Sequence, residues 1–267
     1  MQSLAQILAT FTQQDRAYRF SIDDDWSQGR TVFGGLIAAI GNFSLRQRVP
    51  LERPLRALQI VFVGPNAPGS VDFEPSVLRA GKAVTLANCV VRSAGEITAT
   101  MSAMYGASRE SALQVQPHAD VSPVLPAQLV DVPLRAGLPG FTQHYQQRWA
   151  RGGLPFSRAS DSAMSVYVRY RHPEEPVRQL TETHALAQMD AIPSPALAML
   201  EAPGPASTVS WTLEILDHQF DFNVDEWWRL DAHVDAATGG YVTHTSHVVN
   251  PAGRIAAISR QVVVVYG

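Results

Sequence analysis

The stretch GKAVTLANCVVRSAGEITA, residues 81–99, is spelled again in outline by GGYVTHTSHVVNPAGRIAA, residues 239–257. Gly81, Val84, Thr85, Val90, Val91, Ala94, Gly95, Ile97 and Ala99 recur without a gap as Gly239, Val242, Thr243, Val248, Val249, Ala252, Gly253, Ile255 and Ala257, a constant offset of 158 residues. Upstream at the same offset, Leu58 and Phe62 answer Leu216 and Phe220. Strand-forming segments converge on Val, Thr and Gly, because branched residues suit a pleat and glycine suits a turn. Convergence does not hold an ungapped register over so many positions, so the pattern reads as a unit folded twice.

Working outward from the repeat, the spacing of apolar runs and turn residues predicts the same plan in each half. Ser3 to Phe11 reads as a short amphipathic helix capped by Ser3, and a polar, acidic stretch follows through Asp25. Gly34 and Gly35 precede Leu36, Ile37, Ala38, Ala39, Ile40, Phe43 and Leu45, a run too evenly apolar for a surface helix and therefore a buried one. Four strands are expected at 55–63, 70–79, 83–92 and 97–105, separated by Pro65 to Gly69, Gly81 and Ala94-Gly95. A proline-rich stretch without periodicity follows, with prolines at 117, 123, 126, 133 and 139, and reads as a linker. The second half predicts strands near 141–149 and 162–170, a helical stretch over 181–200, and strands at 207–222, 226–234, 241–249 and 255–266. One buried helix against a mostly antiparallel sheet, made twice, is an α+β arrangement. The expected boundaries are a first unit over 1–108, a linker over 109–140 and a second unit over 141–267.

Composition narrows the function. Nearly half of the 267 residues are apolar, enough for a real core, and a formal charge of -3 supplies no basic footprint for nucleic acid. The single cysteine, Cys89, stands between apolar neighbours in an expected strand and reads as core. The opening MQSLAQILATF has no basic leader, and no apolar run approaches the roughly 20 residues needed to cross a bilayer. The expectation is a cytoplasmic protein without membrane insertion.

A site used once leaves its chemistry in one copy, so the places where the copies disagree are informative. At the repeat offset Gln59 faces Asp217, Val77 faces Asp235, Ala103 faces Gln261 and Val32 faces Asp190. Asp217 and Gln261 both interrupt apolar runs, and a buried carboxylate or amide costs a few kcal/mol (~1–3) unless hydrogen-bonded. They are candidates for a paired polar site, against the alternative that each points to solvent from a strand face. Asp190 lies in the apolar stretch 185–200 and is either a further polar site residue or the cap of the break made by Pro193 and Pro195.

Val32-Phe33-Gly34-Gly35 with its apolar helix, the run Leu55 to Pro65, Leu216-Asp217-His218 and the late Gln261 together resemble the TesB-like acyl-CoA thioesterases. The resemblance implies a double hotdog, two tandem units each with a sheet wrapped around a long helix. It implies hydrolysis of an acyl-CoA thioester to free acid and coenzyme A, with neither metal nor bound cofactor. In that family an Asp, a Thr or Ser and a Gln orient the attacking water. The resemblance places the Asp at Asp217 and the Gln at Gln261. At the place of the hydroxyl residue stands Asp235, with Thr238 three residues on; either could serve, Asp235 as acceptor or Thr238 as donor. The substrate carbonyl would meet backbone amides at Gly34 and Gly35, where a helix start offers unpaired donors and glycine permits close approach.

Other constellations carry less. Asp231, His233 and Asp235 share one strand face and read as solvated rather than metal-binding, while His244 and His247 fall on opposite faces. No nucleophile elbow and no phosphate-cradling glycine loop occurs. Two other functions stay open: a hotdog dehydratase or hydratase using His184 with Asp190, and a non-catalytic acyl-chain or acyl-CoA binding protein. A homodimer or higher homo-oligomer, formed through the uncovered sheet edges, is also compatible with the sequence.

Overall fold

In the computed structural model, residues 1–115, 117–118, 124–171 and 177–266 are described; positions 116 and 119–123 of the proline-rich stretch, including Pro123, lie outside them. The first half comprises α1 (Leu4–Ala9), β1 (Thr12–Gln14), β2 (Ala17–Ile22), a small ribbon of β3 (Ser27–Gln28) and β4 (Thr31–Val32), α2 (Gly34–Arg46), β5 (Leu55–Phe62), β6 (Gly69–Ala80), β7 (Val84–Ser93) and β8 (Glu96–Gly106). The second comprises β9 (Tyr145–Arg151), β10 (Ala163–Tyr170), α3 (Glu182–Gln188), α4 (Ala196–Met199), β11 (Ala206–Ile215), β12 (Trp228–Thr238), β13 (Tyr241–Val249) and β14 (Ile255–Val265).

The repeated stretch folds as two equivalent hairpins, β7–β8 and β13–β14. Gly95 and Gly253 both turn at positive φ, +87° and +78°, which an L side chain rarely adopts. Each hairpin also skips one residue, Thr98 in the first and Ala256 in the second, and these are again 158 apart. The copies thus share a β-bulge as well as a sequence.

Twelve strands form one antiparallel sheet in the order β1-β2-β6-β7-β8-β5-β11-β14-β13-β12-β10-β9, and the halves join where β5 pairs antiparallel with β11. This is the double hotdog plan. Helix α2 is buried on nearly every side, from Gly35 to Asn42 and again at Ser44 and Leu45, as its apolar run from Leu36 to Ile40 requires. It lies so close to the sheet that a Cβ on Gly41 would collide with the Met101 thioether. Helices α2 and α3 pack antiparallel: the start of α2 meets the end of α3, and the end of α2 meets the start of α3. At the latter junction Arg46 donates from Nε and Nη2 to Glu182 at 2.7 and 2.6 Å, and Asn42 donates to the same carboxylate. Arg46 is only 8% exposed, so removing Glu182 would strand a buried cation, a loss on the order of 3–5 kcal/mol.

Two expectations change. The stretch 181–200 is not one helix: Pro193 and Pro195 have no N–H to continue it, so α3 stops at Gln188 and α4 begins at Ala196. The stretch read as polar through Asp25 contains β2, whose Tyr18, Phe20 and Ile22 alternate into the core. Among the described residues, no helix is long and apolar enough to cross a membrane.

Candidate active site

A second cluster of polar groups lies where α2 begins. Asp190 follows α3 in a turn, and Gln261 donates from Nε2 to its Oδ1 at 2.6 Å. Thr208, near the start of β11, donates from Oγ1 to Gln261 Oε1 at 3.0 Å. The chain Thr208, Gln261, Asp190 therefore fixes the amide's orientation: its oxygen faces a donor and its nitrogen an acceptor. Gly34 lies against Asp190, because a Cβ there would sit 3.0 Å from Oδ2 and 3.1 Å from the Phe62 ring. Gly35 is packed still more tightly, with a Cβ meeting the Ala187 carbonyl at 2.5 Å. Helix α2 has no side-chain cap from its N-cap residue, and its Gly35 amide faces Asp190, which leaves the Gly34 amide for a ligand.

Asp190 keeps a little accessible surface, yet protein crowds it closely. Burial pushes its carboxyl up to about 7, against the opposing pull of the Gln261 side chain and the Gly35 backbone amide, both of which favour the charged form. A carboxyl poised there exchanges a proton readily near neutrality.

The sequence placed the acid at Asp217, and the geometry does not bring it to Gln261. The Asp217 amide bonds to the Ala256 carbonyl, five residues from Gln261 along β14, or about 16 Å at the rise of a strand. Its carboxylate accepts from Arg254 Nε at 2.7 Å and from Asn250 Nδ2 at 2.9 Å. The reason is a slip in the repeat. Val63 and Gly64 donate to the Thr98 carbonyl as Leu216 and Asp217 donate to that of Ala256. Asp217 is therefore the counterpart of Gly64, not of Gln59, and the offset along the seam strand is 153. Since β5 and β11 run antiparallel, Asp217 stands at the opposite end of the seam. A cavity of about 710 Å³ opens there, lined by Arg56, His218 and Arg254 among others, away from Gln261.

Neither residue offered for the hydroxyl position joins the cluster. Asp235 is exposed at a bulge in β12, where it accepts from Thr245 Oγ1 at 2.7 Å and pairs with His233 at 3.0 Å. Thr238 is exposed at the hairpin end of the same strand. The hydroxyl that meets Gln261 is that of Thr208. Alternation from buried Trp211 would turn Val209 inward and Thr208 outward, but a register skip between Thr208 and Ser210 reverses that. His184 and Asp190 do not meet either: His184 lies in the first turn of α3, while Asp190 follows the other end of the helix. The His184 Nδ1 lies 2.7 Å from the Thr181 hydroxyl, at the helix cap. Among the described residues, no group of His, Cys, Asp and Glu is placed to hold a metal.

Residues 22–106 match the acyl-CoA thioesterase N-terminal domain and residues 120–265 the acyl-CoA thioesterase C-terminal domain. The chain belongs to the acyl-CoA thioesterase family. No curated protein matches the sequence significantly. Among solved structures, the thioesterase is similar to a conserved protein of unknown function with hot dog fold from Alicyclobacillus acidocaldarius, with TM-score 0.86 and 21% identity over 100% of this chain and 99% of that one. It is similar also to the tesB protein of Mycobacterium avium subs paratuberculosis, with TM-score 0.78 and 14% identity over 99% and 100% of the two chains. For the acyl-CoA thioesterase II TesB2 of Mycobacterium marinum the values are 0.76 and 18% over 99% and 98%. At these identities the structures speak for the fold, which is the one described above.

Proposed function

We propose that this acyl-CoA thioesterase activates a water molecule between Asp190 and Gln261, with Thr208 holding the Gln261 amide in register. Ionised Asp190 takes a proton from the water as its oxygen bonds to the thioester carbonyl carbon. The carbonyl oxygen, now negative, is received at the start of α2, where the Gly34 amide and the helix dipole favour an anion. The carbon–sulfur bond then breaks, the thiolate of coenzyme A leaves, and the proton on Asp190 passes to the thiolate or to solvent. One observation carries this reading: the chain Thr208, Gln261, Asp190 ends against the Gly34-Gly35 turn. An Asp, a Gln and a hydroxyl residue are the set expected for the family, here with Asp190 in place of Asp217 and Thr208 in place of Asp235 or Thr238. The test is free-thiol release from short, medium and long acyl-CoAs by the parent and by Asp190→Asn. Turnover by the parent with near-complete loss in the variant supports the assignment, and parental rates in a folded Asp190→Asn overturn it.

A further inference from the structure

The inner face of the second half holds more polarity than the Thr208, Gln261, Asp190 chain uses. His244 on β13 is the register partner of Gln261 on β14, so the two side chains project from the same face of neighbouring strands. His244 is 4% exposed, an unusual setting for an imidazole. Its Nδ1 lies 3.2 Å from the Ser194 hydroxyl, and Ser194 follows Asp190 by four residues in the segment leading to α4. The ring is thus tied to the same turn that carries Asp190. Its Nε2 has no partner among the described residues. Beyond His244 the same strand face turns apolar, with Val242 and Val263 paired across the strands and packed with Ala196 of α4.

Burial holds the His244 pKa down to about 4, outweighing the attraction of Asp235, so the ring is neutral where Asp190 ionises. A neutral imidazole has one donor and one acceptor. With Nδ1 engaged by Ser194, Nε2 offers the remaining function, and which one it is depends on the turn of the serine hydroxyl. A ligand hydroxyl satisfies either case, because it donates and accepts. A methylene satisfies neither and leaves the nitrogen desolvated without compensation.

We propose that His244 is a specificity-determining residue, and that it receives a hydroxyl on the acyl group about two or three carbons from the thioester carbonyl, the distance set by a strand spacing of about 4.8 Å. The rest of the acyl chain lies over Val242, Val263 and Ala196. The substrates are accordingly hydroxyacyl thioesters of coenzyme A. This rests on the hydrolytic site proposed above.

The experiment compares kcat/KM for a saturated acyl-CoA and its 3-hydroxy counterpart of equal length, by thiol release. The parent should favour the hydroxyacyl substrate by about 10- to 100-fold, the scale for a buried polar group gaining or losing its partner. In His244→Phe that ratio should fall to near one, and in His244→Gln, which keeps a hydrogen-bonding group there, part of it should remain. A parental ratio near one, or a preference retained in His244→Phe, overturns the role of His244 while leaving the hydrolytic reading intact. Release from neither thioester by the parent overturns both. Should His244→Phe fail to fold, the parental ratio and that of His244→Gln decide.

Discussion

Turnover should rise with pH across a range in which an ordinary aspartate would leave it flat. Asp190 has been pushed up to about 7 by burial. A base with that pKa is about half ionised at pH 7, about one-tenth at pH 6 and about one-hundredth at pH 5, so kcat/KM should fall roughly tenfold per pH unit below 6. An aspartate at its ordinary value near 3.8 would give a level profile over the same interval. The displacement also bears on stability. The folded chain keeps this proton to a higher pH than the unfolded chain does, so stability is undiminished below about 3.8, falls between 3.8 and about 7, and bears the full penalty above. At about 1.36 kcal/mol per pKa unit, that penalty is on the order of 4 kcal/mol. Asp190→Asn carries no charge at any pH. It should lose the rising limb and retain a rate roughly 100- to 10,000-fold below the parental plateau. Its urea midpoint should exceed that of the parent at pH 8 and approach it at pH 4. Thiol release from pH 5 to 9 and urea melts at the two pH values measure both effects. A level parental profile together with an unaltered midpoint for Asp190→Asn would refute the reasoning.

The remaining expectations concern neighbouring groups. Gln261→Leu removes the donor that favours ionised Asp190, so turnover should drop by about 100-fold or more and the residual acid limb should move to higher pH. Asp217→Asn should leave kcat/KM within about twofold of the parent and alter stability by about 1 kcal/mol, because its cation Arg254 is half exposed and the amide oxygen can still accept from Asn250. Gly35→Ala drives a Cβ into the Ala187 carbonyl, which should push α2 from α3 and lower stability by about 1–3 kcal/mol in a denaturant titration.

Much of the fold was legible because a turn glycine and an apolar helix each leave a local mark. The duplicated text from Gly81 to Ala99 named the hairpins, and the glycine pair at 34–35 named the start of the buried helix. Gln261 was found as a polar residue in an apolar strand, and Asp190 as a carboxylate in an apolar stretch. The expected pairing of Asp217 with Gln261 failed for a reason that local text does not carry. Five residues fewer separate the seam strand from its counterpart than separate the hairpins, and an ungapped comparison therefore set Asp217 against the wrong partner. Thr208 was hidden differently, since strand alternation points it away from Gln261 and only a register skip in the pairing of β11 with β14 turns it back.

The antiparallel seam also bears on how such a chain can evolve. Two identical units docked in this way would present two equivalent ends, and any substitution at one end would be copied to the other. Fusion removes that constraint: Gly34 and Gly35 come from one unit, Asp190, Thr208 and Gln261 from its sibling, and the opposite end is free to drift. There Arg46 and Glu182 have settled into an ionic clasp. On the reading proposed above, one pole is a fastener while the other carries the chemistry, and neither unit, cut loose, would hold a whole site.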